Sequence, residues 1–154
     1  MLKYVDTKVV FQEVPDEITL AINISNCPCK CEECHSAYLA GDIGNVLNTL
    51  ALHNLICDNK GITCVCFMGG DKTPWHIHTL AMYIKTAFPE LKVAWYSGKD
   101  KLHSSISLNI QDFDYIKLGP YKKEFGPLNC KTTNQRFYKV VDGELVDITN
   151  KFWK

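Results

Sequence analysis

The chain has 154 residues, which is enough for one domain with a substantial hydrophobic core. Apolar residues make up 46% of it and charged residues 22%, as in an ordinary globular protein. Lys plus Arg and Asp plus Glu number 17 each, so there is no basic excess of the kind that nucleic-acid or anionic-membrane binding usually requires. We therefore expect a single domain over residues 1–154, with no nucleic-acid partner and no membrane partner.

The residues at the N-terminus, 1–6, lack the apolar core of a signal peptide, and no apolar run approaches the length of a membrane span. These features predict a cytoplasmic protein, in which thiols stay reduced. The chain has eight cysteines. In a reducing compartment, this number indicates metal or redox chemistry rather than a disulfide framework.

The first elements along the chain are two β-strands, predicted at 8–14 and 17–25. A cysteine-rich segment follows the second strand. After it, Asp42 is a predicted helix N-cap, and apolar residues recur at helical spacing from Ile43 until Asn59-Lys60-Gly61 ends the helix.

The middle of the chain alternates strands and helices. The nearly all-apolar run 62–68 suits a strand buried on both faces, and it ends in Gly69-Gly70-Asp71. Thr73-Pro74 predicts a helix start, with Thr73 as cap, and Pro89 ends that helix. The run 91–96 is the next predicted strand, closed by Ser97-Gly98.

The last third of the chain is less regular. Residues 99–111 are ambiguous, because 105–110 alternates like a strand but lies where a short helix is expected, and 115–120 reads as a strand and turn. The tail, about 119–154, is polar until the β-run 137–141, which Asp142-Gly143 links to a second β-run as a hairpin would. The whole order predicts an α/β fold with a mostly parallel sheet, whose carboxyl ends bring the loops 26–36, 69–71 and 97–98 to one edge.

The cysteine segment carries the strongest chemical signal. Cys27, Cys31 and Cys34 have the spacing C-x3-C-x2-C. Iron–sulfur clusters are held by thiolates, and three ligands for four irons would leave one iron open to bind and activate a substrate. The alternative is a structural zinc site that adds Cys29 to these three, although zinc modules usually draw ligand pairs from two separated knuckles.

Other residues have weaker signals. Cys57, Cys64 and Cys66 are expected in the core, since cysteine is among the most buried residue types, whereas Cys130 lies in a polar loop. Gly69-Gly70-Asp71 would let a ligand approach the backbone closely, although it is also what a turn with Asp71 as helix cap would show. The following side chains are expected in a ligand wall, in the core or at the surface: His35 in the wall or at the surface, Trp75, Trp95 and Tyr96 in the core or a pocket wall, and His76 and His78 at the surface.

Together, the cysteine motif after one strand and Gly69-Gly70-Asp71 after a later one resemble the radical S-adenosylmethionine superfamily. In length and order, the chain is similar to the small activating proteins of anaerobic ribonucleoside-triphosphate reductases. The segments that carry this closer likeness are Cys66–Asp71, Tyr115–Tyr121 and Thr132–Phe137. The resemblance implies a small, partial (β/α) barrel.

The resemblance also implies a ligand set. A 4Fe-4S cluster would be held by Cys27, Cys31 and Cys34, and its open iron would bind the amino and carboxylate groups of S-adenosylmethionine. The remaining contacts to S-adenosylmethionine would come from the backbone of Glu33, where many members carry an aromatic residue, and from Cys34, His35, Gly69, Gly70, Asp71 and Ser97.

The activity that the resemblance implies is reductive cleavage of S-adenosylmethionine to a 5′-deoxyadenosyl radical, which would take a hydrogen atom from a glycine of the partner reductase. The implied partners are that reductase and a one-electron donor such as flavodoxin or ferredoxin. Three alternatives stay open: an activase of a pyruvate formate-lyase type enzyme, a zinc-stabilised binding module without catalysis, and a thiol redox protein using Cys31 and Cys34.

Overall fold

The computed structural model describes residues 2–25 and 43–153. The predicted helix cap Asp42 lies outside these ranges, as does the whole cysteine segment from Cys27 to Cys34 together with His35. The domain is a small α/β unit built on one mixed, open sheet of eight strands within the described residues.

The strands are β1 Lys3–Val10, β2 Thr19–Ile24, β3 Asn45–Val46, β4 Cys64–Met68, β5 Lys92–Tyr96, β6 Tyr115–Leu118, β7 Arg136–Val141 and β8 Glu144–Asp147. Their order across the sheet is β3-β1-β2-β4-β5-β6-β7-β8. The helices are α1 Thr49–Cys57, α2 Pro74–Ala87 and α3 Ser104–Ser107, with 3-10 turns at Ile110–Asp112 and Thr149–Phe152. Over the described ranges, no helix has the length and apolar character to cross a bilayer.

The four central strands, β2, β4, β5 and β6, are parallel, and the flanking pairs are antiparallel. The expectation of a mostly parallel sheet is therefore wrong: the sheet is mixed. A tight link explains one of these antiparallel pairs, because a two-residue turn can only return a strand antiparallel. That pair is the predicted hairpin, in which Asp142 and Gly143 both adopt positive φ between β7 and β8.

The parallel strands are neighbours in space in the same order as in sequence. Right-handed crossovers between such strands deliver every connecting helix to the same face of the sheet. The main hydrophobic core shows this arrangement, because it joins Leu52 of α1, Ile77 and Ile84 of α2 and Ile106 of α3 to strand residues such as Phe67. We call this the helix face, and the opposite side the inner face.

The inner face carries a smaller hydrophobic cluster. Cys64 and Cys66 of β4, Ala94 of β5 and Tyr115 of β6 pack there against Phe137 of β7. The chain segment before β2 and the C-terminal 3-10 turn cover part of this face, through Val14 and Phe152. Within the described residues, the helix-free side is therefore partly closed by loops rather than by a second layer of helices.

Several predicted boundaries are corrected. The first strand is β1 at Lys3–Val10 rather than 8–14. Helix α1 starts at Thr49, since the carboxamide of Asn48 accepts from the Ala51 amide at 2.9 Å, and the two residues of β3 take up part of the predicted helix. The ambiguous stretch 99–111 contains the short helix α3. Thr73 precedes α2, but its side chain makes no capping hydrogen bond.

Packing of the helices on the sheet predicts a large difference between two identical substitutions. Leu80 of α2 is 3% exposed in the core, whereas Leu50 of α1 is 68% exposed. We expect Leu80→Ala to lower the free energy of unfolding by about 2–5 kcal/mol, since it removes buried methyl groups and leaves a cavity. Leu50→Ala should change it by no more than about 0.5 kcal/mol. Urea unfolding followed by circular dichroism measures both, and equal losses would contradict the assigned core.

Candidate functional site

The carboxyl ends of β2, β4, β5 and β6 meet at one edge of the sheet, which we call the carboxyl edge. Strand pairing sets Asn23, Met68 and Tyr96 in register, and Tyr96 beside Lys117. The loops that follow these residues therefore emerge together. Ligands of open α/β sheets bind in this position, beyond the carboxyl ends of parallel strands.

Asp71 links two of these loops. Its carboxylate accepts a hydrogen bond from the hydroxyl of Ser97 and another from the amide of Gly98, the latter at 2.8 Å. Ser97 is 1% exposed, and its hydroxyl oxygen also accepts from the Lys99 amide at 3.1 Å. The structure thus brings Asp71 and Ser97 into direct contact, which fixes the loop after β4 against the loop after β5.

Gly69 and Gly70 lie where side chains would not fit. A Cβ at Gly69 would lie 3.2 Å from the carbonyl oxygen of Ile24, at the end of β2, and a Cβ at Gly70 would lie 2.5 Å from Cδ1 of Ile77. The Gly69 carbonyl accepts from the Trp95 indole at 2.6 Å. A carbonyl oxygen has two lone pairs, so this bond leaves acceptor capacity for a ligand amino group.

A row of four side chains crosses the inner face next to the carboxyl edge: Asn23, Met68, Tyr96 and Lys117. Lys117 is 7% exposed, and its ammonium group donates to the Gly119 carbonyl at 3.0 Å and lies 5.4 Å from the centre of the Tyr96 ring. Sequence reasoning missed Lys117. A signal was present, because a lysine inside the strand run 115–118 is unexpected at a buried position.

Glu13 contributes a second polar group on the same face. The Tyr96 hydroxyl donates to the Glu13 backbone carbonyl, which holds the segment before β2 against β5. The carboxylate oxygen Oε2 of Glu13 is buried and accepts no hydrogen bond within the part of the chain that the structure describes. A buried acceptor without a partner is costly, so it suits a ligand that brings a donor.

The cysteines of the described residues divide as follows. Cys64 and Cys66 are fully buried, as expected, and burial raises the pKa of both thiols well above the ordinary value. The prediction that Cys57 lies in the core is wrong, since it is exposed at the end of α1. Cys130 is half-buried in the irregular segment after β6.

A cleft of about 340 Å³ lies on the helix side of the contact between Asp71 and Ser97. Pro74, Trp95 and Leu102 supply its apolar walls. Trp95 is 2% exposed, as predicted, but Trp75 is 49% exposed and so is wrongly assigned to the core or a pocket wall. The prediction that His78 lies at the surface is also wrong. This residue is half-buried, and its Nε2 lies 2.7 Å from a carboxylate oxygen of Asp112.

The proposed metal ligands Cys27, Cys31 and Cys34, and the ligand contacts Glu33 and His35, lie outside the described residues. Within 2–25 and 43–153, no group of three or more His, Cys, Asp or Glu side chains is arranged to hold a metal ion. Gly69, Gly70, Asp71 and Ser97 lie together at the carboxyl edge, and their contacts to a ligand stay a prediction.

Comparison with known proteins finds no matching family model, no matching curated protein and no matching solved structure. The chemistry that can be assigned to the carboxyl edge therefore follows from its own groups. These are a buried ammonium group, a buried carboxylate oxygen, a hydroxyl held by a carboxylate, and a glycine pair that packs closely against Ile24 and Ile77.

Alanine substitutions at two glycines with the same φ can separate the cost of backbone strain from the cost of a steric collision. Gly61 and Gly70 both have φ +92, but a Cβ at Gly61 meets nothing within 4 Å. Gly61→Ala should lower the free energy of unfolding by about 1–2 kcal/mol through left-handed strain alone. Gly70→Ala should cost at least about 1 kcal/mol more, because the methyl group also collides with Ile77. Denaturant titrations of both variants measure this difference, and equal costs would rule out the close contact.

Burial also predicts thiol reactivity. At pH 8, iodoacetamide should label the exposed Cys57 at least roughly 100-fold faster than Cys64 or Cys66, because thiolates react and burial opposes their formation. Mass spectrometry of proteolytic peptides after timed labelling distinguishes these positions, and urea should remove the difference. Fast labelling of Cys66 in the folded protein would show that the inner face is open to water at that depth.

Proposed function

We propose that the chain is a radical S-adenosylmethionine activase. In this proposal, Cys27, Cys31 and Cys34 hold a 4Fe-4S cluster, and the protein installs a glycyl radical on an anaerobic ribonucleoside-triphosphate reductase. The observation that carries the proposal is one of position. The cysteine motif starts two residues after Ser25, which directly follows β2. Gly69 lies close to Ile24, the last residue of β2, so the motif begins beside the glycine pair.

The donor set suits the cluster. Three thiolates within eight residues supply the ligand type that iron–sulfur clusters require, and they leave one of four irons without a protein ligand. The carboxyl edge suits S-adenosylmethionine, whose amino acid part carries an ammonium and a carboxylate. Lys117 would pair with the carboxylate, and Gly69 O and Glu13 Oε2 offer acceptors to amino or hydroxyl hydrogens.

The arrangement of the parallel strands and helices supports the proposal that the α/β domain is a partial (β/α) barrel. Four parallel strands that lie side by side in their order along the chain, with the helices of the described residues on one face, form the kind of unit that a barrel repeats. The antiparallel pairs at both ends leave this sheet open. A glycine-bearing loop of the reductase would enter from the open inner face, next to Tyr96 and Lys117.

When bound, the cluster supplies the electron that cleaves S-adenosylmethionine to a radical able to remove hydrogen from a glycine. The protein's own residues bind and orient the reactants and exclude water. Asp71 keeps the Ser97 hydroxyl fixed, so that its remaining capacity would meet the ribose in one geometry. Gly70 leaves room for Ile77 of α2, so the loop after β4 packs closely against that helix. A one-electron donor such as flavodoxin or ferredoxin would supply the reducing equivalents.

The proposal predicts the effect of removing single thiols. Cys27→Ala, Cys31→Ala or Cys34→Ala should each reduce the formation of 5′-deoxyadenosine to background under anaerobic, reducing conditions, since each removes a cluster ligand. Cys57→Ala is the matched control. Cys57 is exposed at the end of α1 and should keep wild-type activity. Chromatography of the reaction products measures the yield, and normal yields in all three motif variants would refute the proposal.

Metal content separates the cluster from a zinc-stabilised module. We expect anaerobically purified protein to be brown, with iron and sulfide in roughly equal amounts, as a cubane requires. Elemental analysis together with acid-labile sulfide determination tests this. Colourless protein that carries one zinc per chain would favour a structural site instead.

A further inference from the structure

Charge is distributed unevenly between the two edges of the sheet. The loops at the carboxyl edge, 69–73, 97–103 and 119–135, carry six exposed lysines and three acidic residues. The lysines are Lys72, Lys99, Lys101, Lys122, Lys123 and Lys131, and the acidic residues are Asp71, Asp100 and Glu124. The loops at the opposite, amino edge, 15–18, 58–63, 88–91 and 108–114, carry six acidic residues and one lysine: Asp16, Glu17, Asp58, Glu90, Asp112, Asp114 and Lys60.

The chain as a whole has a formal charge of zero, so the positive charge of these described loops is local to the carboxyl edge. Several acidic groups of the amino edge are paired, Asp112 with His78 and Asp114 with Lys85. At the carboxyl edge, Asp71 is half-buried and bonded to Ser97 and Gly98, which leaves Asp100 and Glu124 as the exposed acids among the lysines. Among the described loops, the exposed charge at the carboxyl edge is therefore positive.

The cleft beside Asp71 gives this positive region an apolar centre. Lys99, Lys101 and His103 line its mouth, and Trp95 and Leu102 lie within it. Trp75, 49% exposed, lies 6.0 Å from the His103 ring, measured between ring centres. An exposed tryptophan and a small apolar cleft with charged groups around them are the composition of a protein interface with a central anchor.

The loop that carries Lys99 and Lys101 is held in place. The Lys99 amide donates to Ser97 Oγ at 3.1 Å, and the Lys99 carbonyl accepts from the Gly119 amide at 2.7 Å. These bonds tie the loop after β5 to the loop after β6. The lysines therefore project from a fixed backbone, which lowers the entropy lost when a partner binds.

We propose that this surface, made of Lys72, Trp75, Lys99, Lys101 and the adjoining cleft, docks the acidic face of the one-electron donor protein. The identity of the partner rests on the proposed function, whereas the electrostatic argument does not. The surface adjoins the end of β2, through Asp71 and Gly69, and so lies near the point where the chain enters the cysteine segment. A donor bound here would pass one electron to the cluster and be oxidised by one electron itself.

A nucleic acid fits this surface less well than an acidic protein. The positive region is confined to one edge of the sheet, the opposite edge is negative, and the chain has no net charge to attract an extended polyanion. A protein of similar size with a local acidic patch would meet the carboxyl edge without approaching the amino edge.

Charge reversal tests the docking surface. The variant Lys99→Glu/Lys101→Glu should bind oxidised flavodoxin at least about tenfold more weakly than wild type at low ionic strength, and salt should weaken wild-type binding. The matched control is Lys60→Glu/Lys92→Glu, which makes the same change in net charge with two exposed lysines at the amino edge. It should bind within about twofold of wild type. Isothermal titration calorimetry on the full chain without cluster measures these affinities.

Cluster reduction provides the second readout. In the reconstituted Lys99→Glu/Lys101→Glu variant, reduced flavodoxin should reduce the cluster at least about tenfold more slowly than in wild type. Dithionite should reduce it at the wild-type rate. Equal flavodoxin binding by both double variants would overturn the docking surface. It would also be overturned if Lys99→Glu/Lys101→Glu bound a single-stranded oligonucleotide more weakly than wild type but bound flavodoxin as wild type does. Failure of wild type to take up iron and sulfide would overturn the proposed function instead, and the calorimetry would still decide the docking surface.

Discussion

The order of four parallel strands is the constraint on which the rest of the structure depends. Since β2, β4, β5 and β6 lie side by side in their order along the chain, right-handed connections deliver the described helices α1, α2 and α3 to the same face. The other face carries the smaller hydrophobic cluster, a row of more polar side chains and covering loops, and the carboxyl ends meet at one edge. Ser25, Gly69, Ser97 and Gly119 therefore emerge together, although they are far apart in sequence.

Hydrogen bonds between the loops turn this edge into a defined site. The carboxylate of Asp71 holds the Ser97 hydroxyl and the Gly98 amide, and Gly119 bonds to the Lys99 carbonyl. One network thus fixes three loops. On the inner side of this network lie Lys117 and the Glu13 oxygen that has no hydrogen-bond partner among residues 2–25 and 43–153. On the helix side lies the cleft with its exposed lysines. The proposed small-molecule site and the proposed docking surface thus meet at Asp71 and Ser97.

The sequence predicted the elements whose physics is local. Apolar runs and periodicity predicted β4, α2 and β5. Asp142-Gly143 predicted the last hairpin, because both residue types tolerate positive φ. It failed where long-range pairing decides. The two residues of β3 belong to a sequence pattern typical of a helix, but they pair with β1 instead. Lys117 is buried because β5 and β7 flank its strand. The contact between Asp71 and Ser97 needed the sheet order, which no local pattern contains.

The most direct measurement of the central claim is an electron paramagnetic resonance spectrum of the anaerobically reconstituted, reduced protein, recorded with and without S-adenosylmethionine. An iron with an open coordination position beside a binding edge should give a cluster signal whose shape changes when S-adenosylmethionine is added. A cluster signal that is identical in both samples would contradict binding of S-adenosylmethionine at an open iron. Protein with no cluster signal after reconstitution would contradict the cluster itself.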